Sequence, residues 1–214
     1  MILKSLIKKP KSLNNKKNND VIFLLHGYGS NELDLFSFKD FFSENQFIIS
    51  LRAPIKLFDN GYAWFNLNIE NNNIESILDD FQIHNSLNLL KRTIDYFVKK
   101  YYLKGNKTII GFSQGAIISW SLIFDNYIIF NKIVSLSGFI NFNYNINLTP
   151  EIKKIKCFVS HGINDPVIPI ELSRKTKAFL KENNFNMECK EYDQGHNVGQ
   201  QNLHDLINWL KKNN

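Results

Sequence analysis

One hydroxyl, one carboxylate and one imidazole, each in a turn after an apolar run, are the groups of this 214-residue chain with the types and order for nucleophilic chemistry. Ser113 stands in Gly111-Phe112-Ser113-Gln114-Gly115, between strand-like Lys107-Thr108-Ile109-Ile110 and helix-like Ala116 to Leu122. A tight strand-to-helix turn holds such a serine exposed and presses the flanking positions together, so they must be nearly free of side chain. Asp165 follows in Ser160-His161-Gly162-Ile163-Asn164-Asp165-Pro166-Val167, and His196 in Asp193-Gln194-Gly195-His196-Asn197. A serine hydroxyl is a poor nucleophile until a base takes its proton. Imidazole suits that task once a third group fixes its tautomer and steadies its cation. Ser113, Asp165 and His196 come in an order known for this chemistry, each just beyond a predicted strand.

Taken singly, Asp165 could be only a turn or helix-cap residue and His196 only a loop residue. Of the other histidines, His84 and His204 fall within predicted helices, and His161 is read as supporting the Asp165 loop. A tetrahedral intermediate needs N–H donors aimed at its oxyanion. His26-Gly27-Tyr28-Gly29, after the first strong strand, can present the Tyr28 N–H, and the Gln114 N–H opens the helix after the serine. The alternative is that the two glycines serve only the turn. Trp64 and Phe65, in Gly61-Tyr62-Ala63-Trp64-Phe65-Asn66, and Phe139 are candidates for contact with an apolar substrate group, or else lids on the core.

The elements that must bring these groups together follow from hydrophobic pattern. Strands are predicted at Val21–Leu25, Phe47–Leu51, Lys107–Gly111, Lys132–Leu136, Ile155–Ser160 and Met187–Tyr192. Helices are predicted at Glu32–Ser43, with Leu33, Phe36 and Phe41 inward, and at Ala116–Phe124, Ile170–Asn183 and Gln200–Lys212. A long helix carries Ile77, Phe81, Leu87, Leu90, Ile94, Phe97 and Tyr101 on one face, with Ser76 as its cap and Gly105 as its stop. Residues Leu13 to Asp20 are rich in Asn and Lys and read as a loop. Strands alternating with helices predict an α/β fold with a mostly parallel sheet covered on both faces. Catalytic groups gather beyond the carboxyl ends of such strands. No repeat or composition break divides residues 1–214, which read as one domain whose segment 1–20 is partly loop-like.

Composition bounds the partners. The net charge is +6, and much of the excess sits in Lys4, Lys8, Lys9, Lys11, Lys16, Lys17, Lys211 and Lys212. No aromatic residues interleave the N-terminal lysines, so a solvated basic surface is favoured over a nucleic-acid site. Cys157 and Cys189 lack metal-ligand spacing and read as buried free thiols. No run reaches the ~20 apolar residues that span a bilayer, and Met1–Ile7 lacks the apolar stretch of a signal peptide. The expectation is a soluble, cytoplasmic protein without stable membrane insertion.

These residues carry a family resemblance. His26-Gly27-Tyr28-Gly29, Trp64-Phe65, Gly-Phe-Ser-Gln-Gly at 111–115, Leu136-Ser137-Gly138, His161-Gly162 with Asp165-Pro166-Val167, and Gly195-His196 resemble the phospholipase/carboxylesterase group of α/β-hydrolases. That group includes acyl-protein thioesterases, and the likeness runs from about Val21 to Leu210. The resemblance implies an α/β-hydrolase fold without a cap domain and catalysis by Ser113, Asp165 and His196. It implies oxyanion donors at Tyr28 and Gln114, and hydrolysis of carboxylic esters or thioesters with no cofactor and no metal. The leading expectation is a serine esterase acting on small-molecule substrates, short- to medium-chain acyl esters, thioesters or lysophospholipids. The chain departs from the group's thioesterases at Asn66, where they usually carry Asp. An amide hydrolase or peptidase, and a catalytically silent binding protein of the same fold, stand as alternatives. A homodimer is compatible with the reading.

Overall fold

The computed structural model describes residues 2–11, 19–67 and 80–213. In chain order the strands are β1 (Ser5–Lys8), β2 (Val21–Leu25), β3 (Phe47–Leu51), β4 (Ile55–Phe58), β5 (Gly61–Ala63), β6 (Lys107–Phe112), β7 (Lys132–Leu136), β8 (Lys156–Gly162) and β9 (Met187–Tyr192). The α-helices are α1 (Asp80–Lys100), α2 (Gln114–Phe124), α3 (Ile170–Glu182) and α4 (Gln200–Lys212). Among the described residues seven strands form one sheet, ordered β1-β3-β2-β6-β7-β8-β9, while β4 and β5 make a separate hairpin. β1 pairs antiparallel with β3; every other neighbour in the large sheet is parallel. This is the mostly parallel sheet that the alternation of strands and helices predicts, in the α/β-hydrolase arrangement that the resemblance implies.

The sheet is buried on both faces. In β2, Val21, Phe23 and Leu25 join one apolar cluster with Leu87, Leu90 and Ile94 of α1 and Ile118 of α2. Ile22 and Leu24 point the other way, into a cluster with Leu206, Trp209 and Leu210 of α4. Period-two alternation therefore feeds two cores, and β2 reads as continuously apolar. α2 is buried along its whole length, as its lack of a polar stripe requires.

Four expectations need correction. The helix predicted at Glu32–Ser43 is a 3-10 segment at Leu35–Asp40. Local bonds hold it in turns, with Leu33 N–H donating to Asn31 Oδ1 at 2.9 Å and Ser37 Oγ–H to the Asp34 carbonyl at 2.6 Å. The face rotates accordingly: Leu35 and Phe42 are buried, while Leu33 and Phe41 are 63% and 58% exposed.

In α1, Phe81 is exposed, unlike Ile83, Leu87, Leu90, Ile94 and Phe97. Phe81 lies six residues before Leu87, which at about 100° per residue is about 120° off that face. The predicted start at Ser76 and Ile77 lies outside the described residues. After the helix, the left-handed position is Tyr102, at φ 51°, and not Gly105. Finally, β1 falls within a segment predicted as partly loop-like. It is a half-buried edge strand, and its terminal lysine masks the pattern.

Both cysteines are free. Cys157 is buried, whereas Cys189 is only partly so. Burial pushes the Cys157 thiol far up and that of Cys189 to about 11, so neither offers a thiolate near neutrality. Among the described residues no helix is long and apolar enough to cross a membrane.

Candidate active site

The central strands deliver three side chains to one rim. β6 ends at Phe112 and α2 begins at Gln114, so Ser113 alone makes the turn, at φ 53° and ψ −120°. Such a backbone is costly for a residue with a Cβ and persists only where neighbours fix it. Ser113 N–H donates to the Leu136 carbonyl at 2.8 Å, and the Ser113 carbonyl accepts from Ala116 N–H at 2.9 Å. Gly111 and Gly115 meet across the turn: a Cβ built on Gly111 would lie 2.3 Å from the Gly115 carbonyl oxygen.

Asp165 leaves the end of β8 and His196 the end of β9. Asp165 Oδ1 accepts from Val167 N–H at 2.8 Å and Ile168 N–H at 2.9 Å, the turn-capping role its sequence context suggested. Its Oδ2 lies 2.7 Å from His196 Nδ1, and His196 Nε2 lies 2.9 Å from Ser113 Oγ. A carboxylate only accepts, so Nδ1 carries the proton and Nε2 faces the hydroxyl as acceptor. Asp165 is 9% and Ser113 7% exposed, which shields these contacts from bulk water while leaving Ser113 reachable. Phe112 covers the imidazole, with ring centres 5.0 Å apart.

The predicted oxyanion turn lies against the serine: a Cβ on Gly27 would come 3.3 Å from Ser113 Cβ. His26 locks that turn. Its Nε2 accepts from Ala53 N–H at 3.0 Å, which leaves Nδ1 to donate to the Gly27 carbonyl at 2.8 Å. Gly29 N–H donates to the Tyr62 carbonyl and Tyr62 N–H to that of Ser30, binding the turn to the β4–β5 hairpin. Behind it, the Arg52 guanidinium forks onto Glu32, which is 2% exposed, and donates to Tyr62 Oη at 2.9 Å. Gln114 opens α2, where the first N–H groups have no carbonyl one turn earlier.

Of the two readings of Trp64, Phe65 and Phe139, contact with substrate or lids on the core, burial favours the second: all three are packed in the core at 0% exposure. Main-chain groups explain the position of the first two: Trp64 N–H donates to Gln114 Oε1 at 2.8 Å, and Gln114 Nε2–H to the Phe65 carbonyl at 2.6 Å. The Gln114 side chain thus bolts the hairpin to the serine turn, a role that the sequence motif does not disclose. The open cleft beside His196, about 200 Å³, is lined instead by Asp34, Leu35, Phe38, Phe112, Asn197 and Val198. Cavities of about 220 and 370 Å³ lie at the amino ends of the strands, around Ile22 and Thr108 and around Lys132 and Lys156, away from Ser113. Chemistry, not volume, selects the cleft. His84 and His204 are exposed on α1 and α4.

Burial lowers the pKa of both His26 and His161 below 6.5, so the folded protein keeps them neutral. The unfolded chain binds their protons more readily. Their stabilising contribution is therefore complete above pH 6.5 and lost as pH falls from there toward the depressed folded values. Melting temperature should be level on the alkaline side of that value and decline on the acid side. A melting curve unchanged down to the carboxylate range would refute this.

A family model described as phospholipase/carboxylesterase matches residues 11–214. Acyl-protein thioesterase 1 of Saccharomyces cerevisiae is 31% identical over 70% of this chain and 68% of its own length. A probable carboxylesterase of Oryza sativa is 24% identical over 96% of this chain and 82% of its own. Among solved structures, the Bacillus cereus carboxylesterase superposes with a TM-score of 0.84 at 24% identity, covering 99% of this chain and 95% of that one. Acyl-protein thioesterase 2 of Zea mays does so with a TM-score of 0.78 at 21% identity, covering 98% of each chain.

Proposed function

Since the chain belongs to the phospholipase/carboxylesterase family, we propose that it cleaves small carboxylic esters or thioesters through an acyl-enzyme on Ser113. The observation that carries this is His196 spanning Ser113 Oγ at 2.9 Å and Asp165 Oδ2 at 2.7 Å. His196 Nε2 takes the hydroxyl proton as Ser113 Oγ bonds to the acyl carbon, and the carbonyl electron pair moves onto oxygen. The Tyr28 and Gln114 N–H groups hold that oxyanion. Collapse expels the alcohol or thiol, which leaves with the proton from His196. Water then enters, His196 takes one of its protons, and the carboxylic acid departs as Ser113 Oγ recovers its own. Asp165 stays ionised throughout, orienting the imidazole and steadying its cation.

The cleft of about 200 Å³ beside His196 favours short- to medium-chain acyl groups, since sites for drug-sized ligands run from about 300 Å³ upward. Its apolar wall is Leu35, Phe38, Phe112 and Val198. Two free cysteines fit a reducing compartment such as the cytoplasm. The test is a p-nitrophenyl ester series from acetate to laurate, with fluorophosphonate labelling alongside. Labelling at Ser113 and kcat/KM highest among the shorter esters are expected. Folded protein that resists the probe would favour a silent binding protein, and a maximum at laurate would refute the chain-length assignment.

A further inference from the structure

Asp165 has a second imidazole partner that the reaction itself does not require. Oδ2, which accepts the proton on His196 Nδ1, also lies 3.3 Å from Nε2 of His161. The His161 ring is fully buried, and the same Nε2 is 2.8 Å from the Ile168 carbonyl oxygen. Both neighbours are acceptors, so Nε2 bears the proton, and burial keeps the ring neutral. Nδ1 is then a bare lone pair, buried and without a partner among the described residues. Leaving a polar atom so placed costs stability. An apolar ring would fill the space without that penalty.

We infer that His161 is a positioning residue of the active site, its Nε2–H bonded to the Ile168 carbonyl and held 3.3 Å from Asp165 Oδ2, so that its positive end bears on the oxygen used by His196 and fixes the carboxylate. The inference rests on the triad reading given above. Three other groups bear on His161 or on its charge. His196 faces the shared carboxylate from beyond β9. Glu191 stands opposite His161 in β9, and Arg174 of α3 pairs with Glu191 at 2.7 Å. With Glu191 so occupied, Asp165 exerts the larger Coulombic pull on His161.

With His161 removed, Oδ2 is no longer shared and favours the His196 imidazolium more strongly. The acidic limb of the kcat/KM–pH profile then moves to higher pH. Three variants separate this from packing. H161Q keeps an N–H near the position of Nε2, H161N is as polar but too short, and H161L has no donor. H161N and H161L should lose about ten- to a hundredfold in kcat/KM, with the limb raised by about half a pH unit. H161Q should keep most of the rate and the wild-type limb. Equal losses in H161Q and H161N, or losses that track the folded fraction with the limb unmoved, would overturn the inference. Fluorophosphonate labelling of the wild type separates the two levels. An unlabelled Ser113 sinks the triad and this inference together, whereas a labelled Ser113 with an unmoved limb sinks only the role of His161.

Discussion

Ser113→Ala should lower kcat for p-nitrophenyl butyrate by on the order of 10⁴–10⁶ while leaving the melting temperature within a few degrees of wild type. The loss is large because the covalent route vanishes with the oxygen, and His196 and Asp165 have no other nucleophile in hand. The fold should tolerate the change, because the Ser113 main-chain bonds to Leu136 and Ala116 do not involve the hydroxyl. Substrate affinity should change little, so the effect belongs in kcat and not in KM. Activity in the variant within about tenfold of wild type would remove Ser113 from the role of nucleophile.

Gly115→Ala should be the most damaging one-carbon addition near the site. A Cβ there would lie 2.0 Å from the Leu25 carbonyl oxygen, 2.6 Å from its carbon and 2.7 Å from the His26 carbonyl oxygen. These are main-chain atoms of a central strand and the turn beyond it, so α2 must retreat. Destabilisation of about 3 kcal/mol or more is expected, which for a chain of this size lowers the melting temperature by about 10 °C. In protein that remains folded, the retreat separates Ser113 from the 26–29 turn and should cost about a hundredfold in rate. Gly195→Ala is the control for stability. Its new methyl would find its nearest neighbours at 3.8 Å, ordinary contact distance, and its melting temperature should match wild type. A Gly115→Ala protein that melts with the wild type would show that the close approach bears no strain.

The proposed triad was legible because each member is signalled locally. Ser113 is announced by its glycines, Asp165 by the Pro166 turn and His196 by the strand before it, and parallel topology does the rest. For Trp64, Phe65 and Phe139 the choice between substrate contact and core lid stayed open, because an aromatic residue in a loop carries no sign of the direction it faces. That direction depends on Gln114, 50 residues from Trp64 in the chain. The 3-10 segment at Leu35–Asp40 was hidden because its apolar residues suit either helical period, and side-chain bonds from Asn31 and Ser37 decide between them. The Glu32–Arg52 pair was invisible for a like reason, joining residues 20 apart in the chain whose types are unusual in neither local context. Support of the Asp165 loop by His161, four residues earlier, was legible from their adjacency, whereas the shared oxygen was not.

The tie between the β4–β5 hairpin and the serine turn constrains how this enzyme can diversify. Gln114 fastens one end of the hairpin, and the exchanges between Tyr62, Gly29 and Ser30 fasten the other. Remodelling that wall would disturb the proposed nucleophile and the proposed oxyanion donors at once. On the opposite wall Asp34 accepts from Ser30 Oγ–H at 2.9 Å, while the side chains of Leu35, Phe38 and Val198 are apolar and make no such tie. Laboratory selection for new acyl preferences should accumulate its successful changes there, and libraries directed at residues 62–65 should yield mostly inactive clones.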